Sequence, residues 1–399
     1  MITEVLDRDW FNAYLDSCAF DDINFIKFNQ TDLAKQKDLF LAGKLDELNL
    51  TYDINETLLK ATKEKALQLL EVVNLDKEKP PIVREAYQLK LEEQLSKLAL
   101  VDAIARRDFT QVQKKSVELY GLPDKQTAGE ALLIVKAMVD SKQLKLSQEW
   151  SQLFVYFIEE EKEPAFYYQK NKESEYLTTE EIVEMFESAL RKRGISWRVE
   201  ISRTALVVNV NYQDKTIYIP AGRKMSKVAA GALIEHEIGI HLVRYCNGLR
   251  SPLLLLSVGL NGYLKGEEGL ASYRQFSIDK GNLPGVINYL GVVLASGLYR
   301  NQPWNFRQVF DFIKEYLSFL GFSEEYAERE AWLRALRTFR GSVGRLPTGV
   351  FTRDLIYFKG YLEIKDLYIK QSLEIERLLV GKYDPNNEKH KSILDGLGL

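Results

Sequence analysis

Cysteine and histidine are scarce: the 399 residues include two Cys and three His. Two cysteines cannot build a disulfide framework. The start, MITEVLDRDWF, has no basic segment leading into an apolar one, so no secretory signal is read there. Both features point to a reducing, cytoplasmic setting. Long apolar runs are missing too. The longest, Leu153–Ile158, is far short of the roughly 20 residues of a membrane span. No charge sign dominates: 54 Lys+Arg against 57 Asp+Glu leaves a net charge of −3. That excludes the global basic field of a nucleic-acid binder, so neither nucleic acid nor membrane is expected as a partner. Repeats and low-complexity runs are also absent. What remains, 46% apolar and 28% charged residues, describes a globular protein. Single cores stop growing at about 250–300 residues, so two lobes or an extended core are expected.

The first half, residues 1–170, reads as a helical lobe. Segments such as TLLKATKEKALQLLEVV and AYQLKLEEQLSKLALVDAIARRDF carry apolar residues at three- and four-residue intervals. Pro80-Pro81, Gly121-Leu122-Pro123 and Pro164 break them. The texture changes in 171–399, the expected catalytic lobe. Thr178 and Glu181 fit a capping box, and Gly194 a helix end. Three short β-rich segments follow, Ile195–Ile201, Ala205–Asn211 and Thr216–Pro220, and read as an antiparallel meander. Ser226 fits the cap of the next helix, VAAGALIEHEIGIHLVRYCN, with Gly248 at its end. Further helices are expected near 267–280, 285–299, 305–320, 323–339 and 354–380. The fold class is α+β, predominantly helical, with a small antiparallel sheet beside one central helix.

Two of the three histidines fall in His236-Glu237-Ile238-Gly239-Ile240-His241. A metal site needs imidazoles converging on one ion, and a metallohydrolase adds a Glu beside them as base. His-Glu-x2-His puts both rings on one helix face. Here the spacing is one residue longer, which on a regular helix turns the rings about 140° apart. A single π-bulge absorbs the extra residue and restores the common face, and Gly239 lowers the cost of that distortion. A local π-turn is therefore predicted at 236–241. A catalytic zinc takes three protein ligands, and the third is sought in Lys265-Gly266-Glu267-Glu268-Gly269-Leu270-Ala271-Ser272. Periodicity alone does not separate Glu267 from Glu268. His390, in the polar stretch DPNNEKHKS, reads as a surface residue. Cys246 reads as a buried thiol.

HEIGIH followed at this distance by EEGLAS resembles the microtubule-associated tyrosine carboxypeptidase family, whose bacterial members carry a QEGLA motif. The similarity extends from ELYGLPDKQ through IYIPAGRKMS, HEIGIHLVRYCNG and GLNGYLKGEEGLAS to FRGSVGRLPTGVFTRDLIYFKG. The resemblance implies a mainly helical, zincin-like zinc peptidase that removes a C-terminal residue, an aromatic one in animal members. It implies one Zn2+ held by His236, His241 and Glu268, with Glu237 as base. Glu267 stands where the bacterial motif has Gln, which changes the local charge.

The implied reaction is attack of a zinc-activated water on the last peptide bond, with Glu237 taking the proton and passing it to the leaving amine. The partner is then a peptide or protein C-terminus. Its carboxylate needs a cation, for which bidentate Arg is the strong choice. Arg340, Arg345 and Arg353 are the candidates, with Tyr357 as oxyanion donor. Two other readings stand beside this one. A dipeptidyl peptidase III-like aminodipeptidase also uses His-Glu-x3-His, but needs acidic residues for the substrate's amine. A non-catalytic zinc protein needs a fourth ligand, for which Cys246 would have to serve.

Overall fold

Several helices begin where the sequence offers a side chain to cap them. The computed structural model describes residues 4–399 apart from 18, 146, 161, 166, 168–175, 206, 282–284 and 345–348. The first half supplies α1 (Arg8–Ser17), α2 (Gln30–Leu41), α3 (Glu56–Leu75), α4 (Pro81–Ala105), α5 (Phe109–Tyr120), α6 (Lys125–Lys142) and α7 (Gln148–Phe157). Asn29, Asn55, Asp108 and Asp124 accept backbone N–H bonds at the starts of α2, α3, α5 and α6. Pro81 opens α4 at a position where its missing N–H costs nothing. In α8 (Thr179–Lys192) the expected capping box forms between Thr178 and Glu181, and Gly194 adopts φ +64° just beyond it.

The sheet corrects the expected meander. Strands β1 (Arg198–Ser202), β2 (Asn209–Asn211) and β3 (Thr216–Pro220) lie in the order β1-β3-β2. β1 runs parallel to β3, and only β2 is antiparallel to it. β3 takes the centre because Thr216, Ile217, Ile219 and Pro220 are all buried, so both its faces are covered. The apolar texture identified three strands, but it does not encode which of them lies between the other two.

After the sheet come α9 (Lys227–Ile234), a π-helical segment Glu235–Leu242, α10 (Val243–Gly248), α11 (Leu264–Ile278), α12 (Val286–Ala295), α13 (Phe306–Phe319), α14 (Glu324–Thr338), α15 (Leu355–Ile369) and α16 (Glu388–Leu397). The helix expected over 354–380 stops at Ile369. Gln371 adopts φ 49°, and a short 3₁₀ turn, Leu373–Arg377, follows. Among the described residues no helix is long and apolar enough to cross a membrane.

The largest core draws on both halves of the chain: Phe40, Leu132 and Trp150 pack with Tyr289, Phe306 and Trp332. The closest packing joins α11 to α15. A Cβ on Gly269 would lie 2.4 Å from the Gly360 carbonyl carbon, and one on Gly360 would lie 2.2 Å from the Lys265 carbonyl oxygen. Backbone meets backbone here, so only glycine fits on either side. The segment 379–387 straps across the start of α11, where a Cβ on Gly266 would come within 2.7 Å of Asp384 and Pro385.

His390 is not at the surface, as its polar neighbours suggested. It is fully buried, its Nδ1 accepts the Asp384 N–H at 2.9 Å, and Asn387 caps the turn that carries it inward. Burial pushes its pKa below the ordinary histidine value. The folded chain therefore favours the neutral ring. That contribution is complete above the unfolded value of about 6.5 and is lost as the pH falls below it. Between about pH 7 and 5 the wild-type melting temperature is expected to fall more steeply than that of His390→Asn. Parallel slopes for the two proteins would contradict this.

Candidate metal centre

The predicted π-turn is present over Glu235–Leu242. Ser226 accepts the Ala229 N–H and starts α9, and the chain widens to π geometry where His236 begins the motif. The extra residue is absorbed, and the two imidazoles face each other with ring centroids 4.7 Å apart. Gly239 serves this turn in a specific way. The Glu235 carboxylate lies over it, 2.5 Å from where a Cβ would stand. That carboxylate is itself held by Arg193 and Arg274, each at 2.9 Å.

Glu268 on α11 completes a triangle. Its Oε2 lies 3.9 Å from Nε2 of His236 and 3.9 Å from Nε2 of His241. These three side chains form a group able to hold a metal ion. Glu267 points elsewhere. Its Oε1 takes His241 Nδ1 at 2.8 Å and Lys382 Nζ at 3.1 Å, and its Oε2 takes Arg244 Nη1 at 2.6 Å. The two glutamates left open by periodicity thus point differently: Glu268 joins the group able to hold a metal ion, and Glu267 bonds His241 from behind.

The charges are arranged to suit a cation. Burial, reinforced by His241, pushes His236 down to about 4, so its ring is neutral near pH 7. Its Nδ1 is buried without a hydrogen-bond partner among the described residues, and Gln275 lies beside the ring. Burial works against a charged His241, but its bond to Glu267 and the nearby carboxylates outweigh that and raise its pKa. Burial also opposes ionisation of Glu267, yet Lys382, Arg244 and His241 hold it well below the usual carboxylate range. Burial raises the pKa of Glu268 against the pull of His241, and the neighbouring Glu267 adds to the rise. A divalent ion would offset that clustering of negative charge.

The other expected residues divide. Glu237 is half-buried on the π-turn, close enough for its charge to act on both histidines and on Tyr212. Tyr357 on α15 is half-buried. Burial and the charge of Glu268 push its phenol up to about 12, so it stays protonated and can donate. Arg353 is buried and its guanidinium is taken by Asp21 and Asp22. Arg340 stacks 5.6 Å from the Phe28 ring and shows no carboxylate partner among the described residues. Arg345 lies outside them. Cys246 is half-buried and is not in the metal-competent group.

Two residues absent from the sequence reading matter most. Arg244 is fully buried. It joins Glu267 to the strap through Gly381 O at 2.6 Å and Tyr383 O at 2.8 Å. Lys382 brings the strap's ammonium onto Glu267 and the Tyr212 hydroxyl, the latter at 3.2 Å. Arg244 lies three residues after His241 and was visible in principle as a cation on the next turn. Lys382 had no local signal. Arg244→Leu leaves Glu267 one cation short and is expected to cost about 3–5 kcal/mol in urea unfolding. A loss under about 1 kcal/mol would show that the buried pair is not structural.

Comparison with known proteins follows the same line. The family model of the microtubule-associated tyrosine carboxypeptidases matches residues 39–392. No curated protein matches the chain. Among solved structures, a lipoprotein-designated chain from Colwellia psychrerythraea is similar with a TM-score of 0.41 and 12% identity, covering 91% of this chain and 72% of that one. With the family match running over nearly the whole sequence, the chain belongs to the microtubule-associated tyrosine carboxypeptidase family, a family of carboxypeptidases.

Proposed function

We propose that this protein is a zinc-dependent carboxypeptidase that removes an aromatic residue, Tyr or Phe, from the C-terminus of a cytoplasmic peptide or protein. The observation that carries the reading is the π-turn, which brings His236, His241 and Glu268 to one point with Glu237 beside them. The donor set fits the metal. Zinc bonds of about 2.0–2.1 Å at tetrahedral angles separate donor atoms by roughly 3.4 Å, and the 3.9 Å gaps seen here close to that with a small rotamer shift. His236 is neutral, and the bond of His241 Nδ1 to Glu267 leaves Nε2 for the ion. Two imidazoles and one carboxylate leave the open position that a catalytic site needs.

Zinc, when bound, would supply the Lewis acid that makes water a nucleophile near neutral pH. The chain's own residues do the rest. Glu237 takes the proton from the attacking water as its oxygen bonds to the scissile carbonyl carbon. Tyr357 donates a hydrogen bond to the oxygen on which charge develops. Glu237 then delivers the proton to the leaving nitrogen, the C–N bond breaks, and a free amino acid and a shortened chain result. Glu267, held ionised by Arg244 and Lys382, keeps His241 in the tautomer that offers Nε2. Of the three arginines considered for substrate, Arg340 is the described one not already held by a carboxylate.

Glu237→Gln is expected to lower release of the terminal residue from a Tyr-ending peptide by about 10²–10⁴-fold while zinc content is unchanged. Tyr357→Phe should lower kcat by about 10²–10³ with KM little altered. Amino-acid analysis of the products, with metal analysis of each variant, reads both. Wild-type turnover by Glu237→Gln, or N-terminal dipeptides as the product, would sink the carboxypeptidase reading.

A further inference from the structure

The two imidazoles of the metal centre are not backed alike. His241 turns Nε2 towards Glu268 and gives Nδ1 to Glu267 at 2.8 Å. His236 also turns Nε2 towards Glu268, but its Nδ1 is buried and has no hydrogen-bond partner among the described residues. A neutral imidazole carries one proton, and Nε2 offers its lone pair only when that proton sits on Nδ1. A buried N–H without an acceptor costs about 1–3 kcal/mol. Left so, the ring favours a proton on Nε2, where the Glu268 carboxylate can take it, and the lone pair is turned away from the ion position. The ion-ready ring therefore needs an acceptor for Nδ1–H, and it has to come from an element packed against it.

That element is α11, and its register names the residue. α11 runs antiparallel to the π-turn. Glu267, in its first turn, lies at His241. Arg274, near its end, grips Glu235 with Nε at 3.2 Å and Nη2 at 2.9 Å. Gln275 follows Arg274 as His236 follows Glu235, so this ion pair brings the next residue of each segment side by side. Gln275 also stands seven residues after Glu268, two helical turns further along the same face. It is half-buried, and its amide lies close enough to favour a proton on the His236 ring. Glu235, the carboxylate next to His236 in sequence, does not compete, because Arg193 and Arg274 hold it.

We propose that Gln275 is the positioning residue of His236: its side-chain oxygen accepts the Nδ1–H, fixes that tautomer and leaves Nε2 for the ion. The proposal rests on the metal site of the carboxypeptidase reading and assigns the half of its support that the structure leaves open. One histidine is then oriented by a carboxylate inside a charge network, and the other by a neutral amide. The amide orients the ring without adding to the negative charge of Glu237, Glu267 and Glu268.

Nitrogen NMR of the full-length, metal-free protein, at a pH well above the ordinary histidine value, reads the tautomer directly. With three histidines the spectrum is assignable, since His236→Gln and His390→Asn each remove one pattern. His236 is expected to carry its proton on Nδ1 in the wild type and in Gln275→Glu, which keeps the acceptor. In Gln275→Met, or Gln275→Leu should the first fold poorly, the proton is expected to move at least partly to Nε2. Zinc affinity, measured by competition with a chelator, should fall about 10–100-fold in the same variant and stay near the wild-type value in Gln275→Glu. Lost packing alone would lower the melting temperature and leave the tautomer where it was. An Nε2–H ring in the metal-free wild type, or an unchanged tautomer or zinc affinity in the folded Gln275→Met, would overturn the proposal. The two ideas fail separately: tight zinc binding indifferent to Gln275 rejects the positioning role alone, and a tautomer that follows Gln275 in a protein that takes no zinc rejects the metal reading alone.

Discussion

Glu267 has its carboxylate out of water between Arg244, Lys382 and His241, and three separate stretches of chain are held in place through it. A lone buried carboxylate is strongly disfavoured, and its cost is recovered only if the surrounding geometry is nearly ideal. Here that requirement fixes the turn after the π-segment, through Arg244. It fixes the strap, through Lys382 and the carbonyls that Arg244 binds. It also fixes the ring of His241, whose remaining nitrogen faces Glu268. The metal-competent group is therefore an outcome of a charge network one layer behind it. The network also gives a physical reason for a carboxylate at position 267. A neutral amide would bond the histidine but would leave Arg244 and Lys382 without their anion.

The second constraint is backbone proximity. Glu268 and the phenol of Tyr357 stand on α11 and α15, and these helices meet at Gly269 and Gly360 with no side chain between them. Packed this closely, the helices have little freedom to slide, because interiors deform in discrete steps. The π-turn supplies the opposing wall. Its wider coil would be unstable alone, but it is clamped on the outside by Arg193 and Arg274 through Glu235, and on the inside by Arg244.

How much of this the sequence held depends on the range of each interaction. The π-turn followed from a five-residue spacing and helix geometry alone. The caps at Thr178 and Ser226 followed from local chemistry. The split between Glu267 and Glu268 did not, because both lie in one turn and only the third dimension tells them apart. Arg353 looked like a free cation because its partners Asp21 and Asp22 sit at the other end of the chain. His390 looked solvated because its neighbours in sequence are polar, while its neighbours in space include the backbone of Asp384. The order of the three strands failed for the same reason: alternation states that a strand is covered, not by which strand.

The strap has a consequence for how the molecule comes into being. The motif that marks the centre is made well before Lys382, Gly381 and Tyr383, the groups that neutralise and bracket its buried ions. A chain emerging from the ribosome in order thus carries the metal-competent group and Glu267 without the Lys382 charge until the strap docks. The last large step of assembly is then also the step that readies the site, so folding itself sets the moment at which the protein becomes competent.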